Sequence, residues 1–407
     1  MRVVSEGIWH VHFAGGQKVK WALDEDLRWA REALGERARF TSLPASRIVH
    51  AAWWPTLLAA GLGSFEGKQV ICFADNPPAL YLSQPGFTEA ASRVDLWIAR
   101  SREALGQFQS LGLNAVLAPY CVDPEVFRPM SDRAALRREC GLPEEAFVVG
   151  NFHRDSEGSD LGSPKAQKGP DIFFQIASEL HRREPRTVVL LAGPRRHWLR
   201  RELKKAGVPY RFVGVVSEED DYEINILDRV RLNRLYQTLD VCVISSRWEG
   251  GPYSALEGLF AGRPVVSTPV GVARDVLPEE FLFHSVEEAV ERLMVIAARP
   301  ISAIRLEELR ESAVSRHSVS ALRQSLLRAY EKLPVGAVGL AGLVRSGKNH
   351  IISGLMQRYG RASLQRPQVI RGNAPAKMLP VETPLAPIVD REVLLRSAAD
   401  IAWFRAG

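Results

Sequence analysis

Cysteine is scarce in this sequence: Cys72, Cys121, Cys140 and Cys242 are the only four among 407 residues. Their wide spacing offers neither a disulfide framework nor a metal-type pairing, so a reducing compartment is expected. Cys72 and Cys242 fall inside apolar runs that read as buried strands, where cysteine serves as a small hydrophobe. Long apolar runs are missing as well. No stretch approaches the roughly 20 residues needed to span a bilayer. The opening MRVVSEGIWHVHFAGG is interrupted by Glu6, His10 and His12, so it does not read as a secretory signal. Low-complexity segments are absent. The expected setting is the cytoplasm.

The globular part also lacks a charge excess of either sign. The net charge is +6, yet residues 337–407 alone hold 10 Lys and Arg against 4 Asp and Glu. Residues 335–407 therefore read as a basic tail or accessory segment. Such a tail suggests an acidic partner or a peripheral contact with an anionic surface, the membrane included, and says nothing about the fold. Within it, GLVRSGKN (342–349) approaches the phosphate loop GxxxxGK[ST], but Asn349 stands where the magnesium-binding hydroxyl belongs. Fewer than sixty residues follow, too few for a nucleotide-hydrolysing domain. A nucleotide- or nucleic-acid-binding module remains the alternative from another functional class.

What the sequence does have is a repeated alternation of strand-like and helix-like segments. In residues 1–125, RIVHAAW, KQVICFA, VDLWIA and NAVLAP read as strands, while ALDEDLRWAREAL and SREALGQFQSLG read as helices. CVDPEVFRPM (121–130) breaks the rhythm with two prolines and reads as a linker. A second series follows over 126–317. Its strands are FVVGNF, TVVLLAG, YRFVGVV, DVCVISS and PVVSTP, and its helices are DIFFQIASELHRR, RHWLRRELKKAG, RLNRLYQTL and YSALEGLFAG. Alternation of this kind predicts parallel sheets covered by helices, hence two doubly wound α/β domains facing a cleft. The segment SVSALRQSLLRAYEKL predicts a closing helix over 318–334, ended by Pro334.

The segment SSRWEGGPYSALEGLFAGRPVVSTPVG (245–271) carries the chemistry. It reads as strand, glycine-rich loop, helix and strand, with the helix over roughly 252–261 between Pro252 and Gly262. Gly250 and Gly251 let the backbone approach a ligand, and the free N–H groups at the helix start suit an anion such as a diphosphate. Glu249 in the loop and Glu257 in the helix can both turn toward one cleft, where carboxylates suit polyol hydroxyls.

This segment resembles the E-x7-E signature of the retaining glycosyltransferases of the GT-B fold, family 4. VLLAGP, YRFVGVV and PYCVDPEVFRP resemble that family in order and spacing, and the likeness covers roughly residues 90–335. The resemblance implies an α/β protein of two Rossmann-like doubly wound domains with a short C-terminal extension. It implies a hexosyltransferase-like enzyme that uses a nucleotide-diphosphate sugar as substrate, retains anomeric configuration and needs neither metal nor cofactor. Polysaccharide biosynthesis is the family's usual setting. A nucleotide-sugar epimerase or phosphorylase of the same fold is the alternative.

Residue by residue, the resemblance puts Glu257 on the donor ribose and Glu249, with Gly250, Gly251, Pro252, Tyr253 and Ser254, on the transferred sugar and its phosphate. It puts Lys168 and Arg154, from NFHRDSEGSDLGSPKAQKGPD, on the diphosphate, where they offset leaving-group charge. Lys165 competes for that role, and the separation of Arg154 from Lys168 is longer than in the family. In the first domain Gly15 and Gly16, after WHVHFA, are candidates to meet the donor phosphates. The family carries a histidine after the middle strand; ICFADNPP offers Asp75 and Asn76 there, with His50 the other nearby imidazole. These three are the acceptor-side candidates. The acceptor itself, whether glycan, lipid-linked or protein, is not legible.

Overall fold

The computed structural model describes residues 7–15, 22–157 and 160–333. Two parallel sheets form its frame. The first holds β1 (Trp9–Ala14), β2 (Ala38–Phe40), β3 (Ile48–Ala51), β4 (Gln69–Ala74), β5 (Leu96–Ala99) and β6 (Ala115–Leu117), in the order β2-β1-β3-β4-β5-β6. Every residue of β3 and β5 is buried. A parallel sheet is covered on both faces, so its strands carry continuous apolar runs in place of an in–out alternation. That is why IVHA and LWIA read so clearly as strands.

The second sheet holds β7 (Phe147–Asn151), β10 (Thr187–Ala192), β11 (Tyr210–Val213), β12 (Val241–Ile244) and β13 (Val265–Ser267), in the order β11-β10-β7-β12-β13. The chain begins in the middle, winds outward to β11, then restarts on the other side with β12. Between β7 and β12 the winding reverses, and such a reversal leaves a crevice at the carboxyl ends of the strands. The loops that leave β7 and β12 hold Arg154, Lys168 and Glu249, so the topology brings the candidate residues together. A short antiparallel hairpin, β8 (Ser156–Glu157) with β9 (Asp160–Pro164), fills the longer separation between Arg154 and Lys168.

Helix placement follows local signals. Ser101 accepts the Ala104 N–H at the start of helix Arg102–Ser110, as a capping serine does. Helix His197–Ala206 turns Leu199 and Leu203 inward and ends at Gly207, whose φ of 69° suits glycine alone. Cys72 and Cys242 are buried in β4 and β12, as small hydrophobes.

The closing helix, Val319–Glu331, does not stay with the second sheet that precedes it. Leu322, Leu326, Ala329 and Tyr330 are buried in one cluster with Val11, Leu27 and Ile71 of the first sheet and its cover. The chain thus crosses between the domains twice, and the two crossings are tied together. The Val122 N–H donates to the His317 carbonyl (3.0 Å), and His317 Nδ1 lies 3.0 Å from the Tyr120 carbonyl. Among the described residues no helix is long and apolar enough to cross a membrane. Gly16, the loop 342–349 and the rest of the basic tail lie outside the described residues.

Leu326 is fully buried in the seam between this helix and the first sheet. Leu326→Ala should cost about 2–5 kcal/mol, the range for a leucine cut back in a packed core. Urea denaturation checks it, and an unchanged midpoint would contradict the docking of this helix.

Candidate active site

Two loops, one from each side of the β7–β12 crevice, are stitched together. The residues 166–168 form a single 3-10 turn that ends at Gly169, with φ of 58°. A side chain there would overlap the Ser245 carbonyl, so both the conformation and the close approach require glycine. The Arg247 N–H donates to the Gln167 carbonyl (2.8 Å), and the Arg247 guanidinium binds the Ala166 carbonyl (3.0 Å) and Asp171 Oδ1 (2.8 Å). This stitching delivers Lys168 to Glu249.

Lys168 Nζ and Glu249 Oε1 form a close ion pair, and Ser246 Oγ donates to the same carboxylate oxygen at 3.0 Å. Glu249 is only 7% exposed, which for a carboxylate demands such partners. Burial holds the Lys168 ammonium below its usual range; Glu249 opposes that, while Arg154 and Lys165 reinforce it. Arg154 and Lys165 thus add positive charge around the Lys168–Glu249 pair. Charge of that sign suits an anion, beside the start of helix Tyr253–Phe260, where backbone N–H groups are unpaired by the helix itself. Arg154 lies over the Tyr222 ring, 5.8 Å from its centroid.

His153 also reaches this place, although nothing in the sequence reading singled it out. Its Nε2 lies 2.6 Å from Ser254 Oγ. Burial, with Lys168, Arg196 and Arg154 nearby, holds its imidazole well below the usual range and therefore neutral. The loop after β7 is pinned from beneath. Arg196, fully buried, donates to the Asn151 carbonyl and side chain at 2.9 Å each, and Asp155 accepts the Trp198 N–H at 3.1 Å. The only signal that could have found His153 is its position, two residues past the end of β7 in the same stretch as Arg154.

Glu257 lies deeper along the helix. Tyr236 Oη donates to its Oε2 at 2.9 Å, and burial pushes the carboxyl up to about 7 against the opposing pull of Tyr236 and Arg229. It opens into a cavity of about 380 Å³, also lined by Tyr253, Arg229, Phe127, Arg28 and Trp29. The last two come from helix Ala22–Leu34 of the first domain, so the cavity lies between the domains.

The first domain bears on the glycine pair and on His50. Gly250 and Gly251 lie against it. A side chain on Gly250 would overlap the Asp75 carbonyl, and one on Gly251 the Tyr120 ring, so the pair lets the two domains touch. His50 does not face the cleft. It is fully buried, its Nδ1 lies 2.8 Å from Tyr330 Oη of the returning helix, and its ring packs on Phe73 with centroids 4.3 Å apart. Burial holds it near 3, so it is a neutral core residue. Pro252 stands at the N-cap position of the helix Tyr253–Phe260, at the boundary expected from the sequence.

Asp75 and Asn76 are where the sequence placed them, at the end of β4 and half-buried. Tyr120 Oη donates to Asp75 Oδ1 at 3.2 Å. Burial first, then the charges of Asp26 and Glu249, push the Asp75 carboxyl up to about 7. The Asn76 side-chain oxygen is buried and takes no hydrogen bond. Gly15 turns at φ of 101° against Thr56, in the loop after β1. Among the described residues no group of three His, Cys, Asp or Glu is placed to hold a metal ion.

The family model described as glycosyl transferases group 1 matches residues 160–298. The lipopolysaccharide core biosynthesis mannosyltransferase LpsB of Rhizobium meliloti is 28% identical over 165 residues, 38% of this chain and 41% of that protein. A D-inositol 3-phosphate glycosyltransferase of Kineococcus radiotolerans is 27% identical over 217 residues, 51% of this chain and 46% of that protein. The match thus spans less than half the length of these curated relatives. The crystal structure of HepE from Anabaena in complex with UDP-glucose superposes with a TM-score of 0.64 at 16% identity, covering 80% of this chain and all of that one. Residues 160–298 thus resemble the glycosyl transferases group 1, and the chain has the two-domain GT-B fold.

Proposed function

We propose that this protein transfers a sugar from a nucleotide-diphosphate sugar to an acceptor hydroxyl, with retained anomeric configuration and without a metal. The observation that carries the reading is the buried Lys168–Glu249 pair, close enough to Arg154 and Lys165 to feel their charge, in the loop just before the helix that bears Glu257. In this reading the diphosphate lies against Lys168, Arg154 and the helix N–H groups. They neutralise charge as the glycosidic bond breaks and the nucleotide leaves. Glu257 accepts hydrogen bonds from the ribose hydroxyls. Glu249, held by Lys168 and Ser246, takes the hydroxyls of the transferred sugar. The departing phosphate accepts the proton of the incoming hydroxyl, so no separate base is needed on the donor side.

HepE binds UDP-glucose, which makes a uridine-diphosphate sugar the first donor to test. Asp75 and Asn76 form the acceptor wall: one carboxyl that titrates near neutrality and one buried amide oxygen without a partner. Groups of that kind suit a hydroxyl donor, in keeping with relatives that act on lipopolysaccharide core or on D-inositol 3-phosphate.

Two expected outcomes follow. Glu257→Ala removes a carboxyl acceptor from the ribose and should lower kcat/KM for the donor by about tenfold to a hundredfold. Steady-state kinetics of sugar transfer decide it, and unchanged constants would overturn the assignment of Glu257. The second concerns pH. The folded protein raises the Glu257 carboxyl from 4.5 to about 7, so it favours the neutral form relative to the unfolded chain. The associated stability is complete below pH 4.5 and is lost as pH rises through about 7. Glu257→Gln, which never ionises, should therefore melt higher than the parent at pH 8 and equally at pH 4, while binding donor more weakly. A parent that is equally stable relative to the variant at both pH values would show that the carboxyl is not held neutral by burial.

A further inference from the structure

We propose that the adjacent carboxylates Glu25 and Asp26 are positioning residues that clasp the first domain onto the donor loop. This rests on the donor reading of that loop given above. Both belong to helix Ala22–Leu34 of the first domain, and both reach the second. Glu25 pairs with Arg229, at the start of helix Arg229–Thr238. Asp26 Oδ1 accepts a hydrogen bond of 2.6 Å from Tyr253 Oη, at the start of the helix that carries Glu257.

The two contacts differ in kind. Asp26 is 1% exposed and lies 2.7 Å from the Arg100 guanidinium, itself fully buried. Arg100 is held between the rings of Phe73 (4.5 Å) and Tyr120 (4.4 Å). A short hydroxyl-to-carboxylate bond in such a dry setting is stronger than one in water. Its donor comes from the opposite domain. When the cleft opens, Tyr253 must leave, and the Asp26–Arg100 pair stays behind short of one partner. The Glu25–Arg229 pair lies at the rim, with side chains 22% and 38% exposed, so salt weakens it.

The contacts also reach the reacting end of the cleft. The Tyr253 ring meets Tyr120 edge-on, centroids 5.1 Å apart, and Tyr120 Oη donates to Asp75. Helix Ala22–Leu34 is thereby linked through one hydroxyl to both the Glu257 cavity and the acceptor wall. Residues that hold two domains in their working geometry act on donor affinity, because a ligand that needs the closed form binds more weakly when that form is less populated.

Asp26→Asn, Asp26→Ala and Tyr253→Phe test the clasp, with melting curves to verify folding. Small-angle X-ray scattering of the full chain should show a larger radius of gyration for each variant than for the parent. Saturating UDP should restore the parent's value. In kinetics, Asp26→Ala should raise the donor KM by about tenfold, a larger factor than any fall in kcat, as expected when a charge-assisted hydrogen bond is lost. Asp26→Asn, which can still accept from Tyr253, should fall between Asp26→Ala and the parent. Variants with the parent's radius of gyration and donor KM would overturn the proposal. So would expansion that UDP does not reverse, since that marks a structural defect. If the variants expand but the parent transfers no sugar from any nucleotide donor, the clasp stands and the proposed function fails. Should Asp26→Ala not fold, Asp26→Asn and Tyr253→Phe, which alter one group each, decide the matter.

Discussion

The pairing of Lys168 with Glu249 is the constraint on which the second domain's cleft depends. Two charges taken out of water together are tolerable only when each satisfies the other, and loss of one partner leaves the second stranded at high cost. The surrounding chain is arranged to keep them together. Gly169 lets the 166–168 turn lie on the Ser245 carbonyl, and Arg247 ties that turn to the loop carrying Glu249. Once delivered, Lys168 is drawn down by burial and by Arg154 and Lys165, with Glu249 in opposition. Cations gathered in that way favour an anion, and the helix start beside them favours the same charge.

The second constraint is contact between the domains. Gly250 against the Asp75 carbonyl and Gly251 against Tyr120 bring the loop after β12 and the end of β4 to backbone distance. Under the proposed transfer, such closeness would place reacting groups together and keep water out. The Asp75 carboxyl is raised first by burial and then by Asp26, with a smaller part from Glu249 across this contact.

Much of this was legible in the chain. Buried parallel strands show as continuous apolar runs, so most elements of both sheets could be found. The stretch 245–271 announced a loop, a helix start and two carboxylates at useful depths. What was not legible depends on contacts between distant segments. His50 reads as a candidate beside a strand end, and only the return of helix Val319–Glu331, with Tyr330 on its Nδ1, makes it a core residue. The glycine pair reads as a ligand platform because the first domain's approach is invisible locally. Nothing local in ALDEDLRWAREAL marks Glu25 or Asp26 for a distant partner. Their reach to Arg229 and Tyr253 spans some two hundred residues of sequence.

The most direct test of the account is the binding of UDP and of uridine to the parent protein and to Lys168→Ala, measured by calorimetry. If the cation cluster is a diphosphate site, the variant loses affinity for UDP and retains that for uridine, and the parent's preference for UDP weakens with salt. Equal affinity of parent and variant for UDP would contradict the central claim.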